Sequence, residues 1–84
     1  MANCTGRSAP VAHDVVNGYR ISTILRAEPH YIMDVRSDYE TVVFAPSGSV
    51  VLIDYYSSEG GARFGHAKHM KDAERDFRRD DDDE

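Results

Sequence analysis

The chain has no tryptophan and a single cysteine, Cys4. No internal disulfide can form, so the fold does not depend on an oxidising compartment, and a lone thiol near a terminus is read as incidental. Long apolar runs are also missing. None approaches the ~20 residues that span a bilayer, and residues 1–10 lack the apolar core of a signal peptide. The expected location is therefore the cytoplasm, away from any membrane. There is no serine in a glycine-flanked elbow, no phosphate loop and no His-Glu-x-x-His order. These absences point away from an enzyme.

With 84 residues the chain holds one domain at most. A domain of this size buries only roughly 60% of its unfolded surface, which keeps net stability small. Five tyrosines and three phenylalanines supply the bulk that tryptophan does not. The net charge of -5 comes from the last five residues, all acidic; the rest of the chain is balanced. Residues 59–79 carry six bases and four acids, so a mildly basic segment precedes an acidic tail. Overall acidity disfavours nucleic acid as a partner, because phosphate attraction dominates such affinity.

Residues 1–17 read as a largely disordered segment, with at most a short turn of helix over residues 11–16. Asn17-Gly18 is a turn signal that launches the first strand, residues 19–26, where Ile21, Thr23 and Leu25 share one face. Ala27-Glu28-Pro29 interrupts that strand, since proline removes a ladder donor. Residues 31–35 alternate again and could form a short edge strand or part of a long loop, and Arg36-Ser37-Asp38 reads as a turn. Residues 39–45 and 49–56 are dense in β-branched and aromatic types. Pro46-Ser47-Gly48 joins them as an antiparallel hairpin. Val50-Val51-Leu52-Ile53 is apolar on both faces, which predicts a central strand covered by a helix.

The last third reads as a helix. Ser57 or Ser58 is a good N-cap and Glu59 suits the positive end of the dipole, so an early start is favoured despite Gly60 and Gly61. Ala62, His66, Met70, Ala73 and Phe77 form one stripe facing the sheet, and Arg78 and Arg79 fall at the helix end. The expected fold is α+β: an antiparallel meander of three or four strands over residues 18–79, one C-terminal helix on one face, and a disordered acidic tail at residues 80–84.

His66 and His69 lie three apart on this helix and could share a metal. No third ligand stands at a recognised spacing, so no metal or cofactor is expected. His66 is read as packing at the sheet with its ring nitrogens satisfied, and His69 as partly exposed. Asp54 follows directly on the apolar run and is a candidate buried carboxylate. Gly60-Gly61 could present amides to an anion, but Glu59 repels it. The interspersed acids and bases of the helix read as i,i+4 pairs, such as Lys68 with Asp72.

Ile21-Ser22-Thr23, then Tyr39-Glu40-Thr41-Val42-Val43-Phe44, then Tyr56-Ser57-Ser58-Glu59 leading through Ala62 to Gly65-His66 resembles a widespread group of small uncharacterised proteins encoded by bacteriophages and prophages. Its pattern departs at Ile24-Leu25-Arg26 and Glu28-Pro29-His30, where the group often has Leu-Gly and an Asp/Asn-His pair. Ser58 replaces a threonine, and Gly60 and Gly61 replace acids. The resemblance implies a phage-type accessory protein with a sheet and a C-terminal helix, and brings no activity. Glu40, Thr41, Gly65 and His66 are the motif positions to test, with Asp54 and His69 beside them; for Gly65 the plain alternative is a close helix–sheet approach.

The expectation is a non-catalytic module that binds a host or phage protein and modulates a host or defence complex. A partner would meet the exposed sheet face through Arg20, Tyr31, Tyr39 and Tyr55. A phage structural or assembly component, and a small metal- or nucleic-acid-binding protein, are the alternatives. The sequence leaves the partner and the oligomeric state open.

Overall fold

The computed structural model describes residues 8–78. Five elements follow in chain order: β1 (Ala9–Val16), β2 (Tyr19–Ile32), β3 (Val35–Phe44), β4 (Val50–Tyr56) and α1 (Glu59–Glu74). The strands pair antiparallel in the order β1-β2-β3-β4, and α1 lies against the sheet. This is the expected α+β meander with one C-terminal helix. The expectations for residues 1–7 and 79–84, the acidic tail included, lie outside the described residues.

The ordered fold begins earlier than the sequence reading placed it. Residues 9–16, read as irregular or briefly helical, form β1 and pair with β2 from Ala9↔Leu25 to Val16↔Tyr19. The cause is the turn. Asn17 and Gly18 both have positive φ, 54° and 84°, as a two-residue hairpin of the twist-matched type requires. Asn17 Nδ2 also donates to the Ala73 carbonyl at 3.1 Å, tying this turn to the end of the helix.

β2 and β3 are longer than expected. Pro29 does not end β2; the strand register shifts between Leu25 and His30 and pairing then resumes to Ile32↔Val35. A bulge absorbs the missing proline donor. The residues read as a polar turn, Arg36-Ser37-Asp38, lie within β3. The true turn is Met33-Asp34, with φ of 50° and 69°.

β4 differs most from its expected place. It is an edge strand, not a central one. Alternation turns Leu52 toward the helix side, while Ile53, 45% exposed, faces the side that α1 does not cover. The apolarity of this strand on both faces therefore does not report burial on both faces.

The helix starts early, as expected. Ser58 is the N-cap and its Oγ accepts from the Gly61 N–H at 3.0 Å. It ends at Glu74, before the expected arginine pair. Asp76 N–H donates to Ala73 O and Phe77 N–H to Asp72 O, closing the helix in a Schellman motif. Both residues have φ of 58°. This turn folds Phe77 back onto Tyr19, with ring centroids 4.9 Å apart, and Tyr19 Oη donates to Asp76.

The layer between helix and sheet has two halves. One is apolar: Ile21, Val43 and Ala73 are fully buried, with Val16, Tyr19, Leu52, Met70 and Phe77 packed around them. The other is polar, built from Thr23, Thr41, His66 and His69.

Candidate functional site

Strand register sets the polar half. Thr23 of β2 stands beside Thr41 of β3, which stands beside Asp54 of β4. One row along, Asp14 of β1 stands beside Ile21. Strand alternation points these side chains to one face, and α1 lowers His66 and His69 onto them.

His66 is bonded at both ring nitrogens. Its Nδ1 is 2.6 Å from Thr23 Oγ1, which is 2.5 Å from Thr41 Oγ1, and its Nε2 is 2.8 Å from Asp14 Oδ2. With a neutral ring every group is satisfied: Nε2–H donates to Asp14, the Thr23 hydroxyl donates to Nδ1, and the Thr41 hydroxyl donates to Thr23.

His69, expected to be partly exposed, is buried. It points the other way along the sheet, to β4. Nε2 is 2.6 Å from Asp54 Oδ2, to which the Tyr56 hydroxyl also donates at 3.3 Å. His69 Nδ1 has no hydrogen-bond partner among the described residues. Asp72 Oδ2 lies 3.9 Å away, beyond bonding range. Burial, then the charge of Asp54 and the hydrogen bond to it, push the Tyr56 hydroxyl up to about 12.

Gly65 makes this approach possible. A β-carbon there would overlap Tyr56 Oη, so the phenol occupies the volume of the missing side chain. The helix can then settle low enough for the next residue, His66, to reach Thr23.

Asp14, His66 and Thr23 have the acid–imidazole–hydroxyl order of a nucleophilic relay. Thr23 is 1% exposed and Thr41 0%, so both hydroxyls lie shut off from solvent between helix and sheet. The array links the two layers as a polar clasp. His66 and His69 turn to carboxylates on opposite edge strands rather than converge. Among the described residues no three His, Cys, Asp or Glu side chains gather as a metal site.

The opposite sheet face has no covering element among the described residues. Ile24, Val42 and Phe44 are half-buried there, and Ile53 and Val15 are exposed, Val15 by 61%. Glu40 lies on this face, where its Oε1 accepts from Arg26 Nη1 at 2.7 Å. The Arg26 guanidinium sits 5.9 Å from the Tyr55 ring, on which His30 stacks at 4.1 Å. Arg20 covers the Phe44 ring at 4.7 Å.

The sequence-selected residues thus divide. Thr41, Asp54, Gly65, His66 and His69 all lie in the layer between helix and sheet, in two separate groups about His66 and His69. Glu40, Arg20 and Tyr55 lie on the open face. Tyr31 is exposed near the tip of the β2–β3 hairpin, and Tyr39 is on the helix side, opposite Tyr56. Sequence reasoning missed Asp14 and the apolar row Ile24, Val42, Phe44 and Ile53. The signal for Asp14 was present: Asn-Gly after a run of β-branched residues marks a hairpin and hence a preceding strand.

The chain matches no protein-family model, and no curated protein and no solved structure matches it.

Proposed function

We propose that this protein is a non-catalytic protein-interaction module of the phage accessory type, acting in the host cytoplasm on a host or phage protein complex through its open sheet face. The observation that carries this reading is the one-sided burial of the sheet. The residues that could have performed chemistry are spent on holding the helix, while an apolar field edged by Arg20, Arg26, Glu40 and Tyr55 faces outward. Apolar centres with an aromatic and arginine rim suit protein recognition. No helix among the described residues is long and apolar enough to cross a membrane.

The test is site-specific photocrosslinking of the full chain in a bacterial host. A photoreactive residue at Ser22, in the middle of the open face, should give a discrete protein adduct. The same residue at Phe64, on the outer side of the helix and 77% exposed, should not. Adducts from Phe64 with none from Ser22 would reverse the assignment.

A second reading, a phage structural or assembly component, is favoured by one observation: the outer edge of β4 pairs with no other strand among the described residues.

A further inference from the structure

The open face carries its charges unevenly. Alternation along β2 and β3 places Arg20, Arg26, Asp38 and Glu40 on this side of the sheet. Both carboxylates are already held, Glu40 by Arg26 at 2.7 Å and Asp38 by Arg36 at 2.9 Å. Neither β1 nor β4 adds an acid, because Asp14 turns to His66 and Asp54 to His69 on the helix side. Glu28 lies in the irregular stretch of β2, beyond Arg26 and away from the Arg20 end. Arg20 is the cation left over. Its guanidinium rests 4.7 Å from the centre of the Phe44 ring, a contact that uses no N–H donor.

Arg20 has apolar neighbours on both sides. Across the strands it stands between Val15 of β1, 61% exposed, and Phe44 of β3, and Val50 follows beyond Phe44. A partner that covers this row takes the guanidinium out of water with it. A charge so buried must be paired, and no carboxylate among the described residues is left to pair it on this face. The occupant has to bring one. Other occupants fit less well. A second copy laid face to face would bring the same imbalance. Nucleic acid binds through several neutralised phosphates, whereas this face offers one arginine without an acid. Residues 80–84 of the chain match the arginine but hold no apolar side chain to cover Val42 and Ile53.

We infer that the partner is an acidic amphipathic segment of another protein, which lays apolar side chains over Val42, Phe44 and Ile53 and sets a carboxylate on Arg20. This rests on the reading of the open face given above and adds the chemistry of what that face binds. The guanidinium donors fork onto a carboxylate in pairs, while the Phe44 ring fixes where the charge stands. The apolar field supplies the contact area, and Arg20 decides which apolar segment is accepted.

The readout is the Ser22 photoadduct of the full chain in the bacterial host. Arg20→Met keeps an apolar stem and removes the charge, and Arg20→Glu reverses it. Both should lower the adduct yield about tenfold or more, because the partner carboxylate is left buried without its cation. Arg20→Lys should retain more of the yield than Arg20→Met. Arg63→Gln, the same loss of charge on the outer side of the helix, should leave it whole. Peptide mapping of the adduct should place an aspartate or glutamate within an apolar stretch of the partner, and changing that acid to lysine should restore the yield of Arg20→Glu. Melting curves matching the wild type show that the Arg20 variants keep the fold. Equal yields from wild type, Arg20→Met and Arg20→Glu overturn the inference and leave the open-face reading standing. A nuclease-sensitive adduct, or one made of two copies of this chain, also overturns it. No Ser22 adduct from the wild type removes the open-face reading itself, and the inference with it.

Discussion

The hydroxyl of Tyr56 fills the space that a β-carbon would take on Gly65. The two residues lie on different layers, and their contact sets the height of the helix above the sheet. Gly65→Ala must therefore push the helix off or displace the phenol. Overpacking of this kind typically costs about 1–3 kcal/mol. Denaturant unfolding should show that loss, and a Tyr56→Leu background should shrink it. Equal losses in both backgrounds would mean that the contact does not limit the approach.

Tyr56 also predicts alkaline behaviour. Its folded value, about 12, stands above the ordinary 10.0 of an unfolded tyrosine. The folded state holds the phenolic proton more tightly, so the stabilisation is whole below pH 10.0 and is lost as pH rises through about 12. Phenolate absorbance should show a late-titrating tyrosine that disappears in Tyr56→Phe. Asp54→Asn should lower its midpoint only in part, since burial is the first cause and the carboxylate the second. A full return to 10.0 in Asp54→Asn would contradict that order.

The clasp gives an asymmetric prediction. Thr23→Val leaves His66 Nδ1 and the Thr41 hydroxyl without their shared partner in a buried layer. Orphaning a buried polar group costs about 1–3 kcal/mol, whereas replacing partners together by apolar groups of similar shape is nearly neutral. Thr23→Val should thus destabilise more than the combination Thr23→Val, Thr41→Val, His66→Leu. Calorimetric melts of the two variants decide it, and the opposite ranking would show that the network itself, not its satisfaction, carries the stability.

The tip of the β2–β3 hairpin is strained. Met33 and Asp34 both have positive φ, and Met33 is 92% exposed. The turn geometry favours Asn-Gly. Met33→Asn with Asp34→Gly should stabilise by about 1 kcal/mol by relieving that strain, and hydrogen exchange of the hairpin amides should slow. Unchanged exchange would mean that the tip is not strained in solution.

Much of the fold was legible because its signals are local. The Pro46-Ser47-Gly48 connection lies between two β-rich runs, and Ser58 caps a helix whose stripe through Ala62, His66 and Ala73 faces the sheet. The clasp was legible only in pieces. Thr41 and His66 stood out by motif, but Asp14 comes from 52 residues away in sequence and His69 finds Asp54 only after the helix has turned back. The position of β4 was misread for a related reason. Apolarity on both faces of a strand records a preference to leave water, not which element provides the cover.

The sequence alone determined the strand and helix periods, the caps and the turns, because these depend on side-chain spacing and backbone geometry within a few residues. The tertiary structure decided which imidazole meets which carboxylate, which strand stands at the edge and which apolar face no described element covers. Those outcomes depend on strand order and on a single helix being wide enough to cover only one side of a four-stranded sheet.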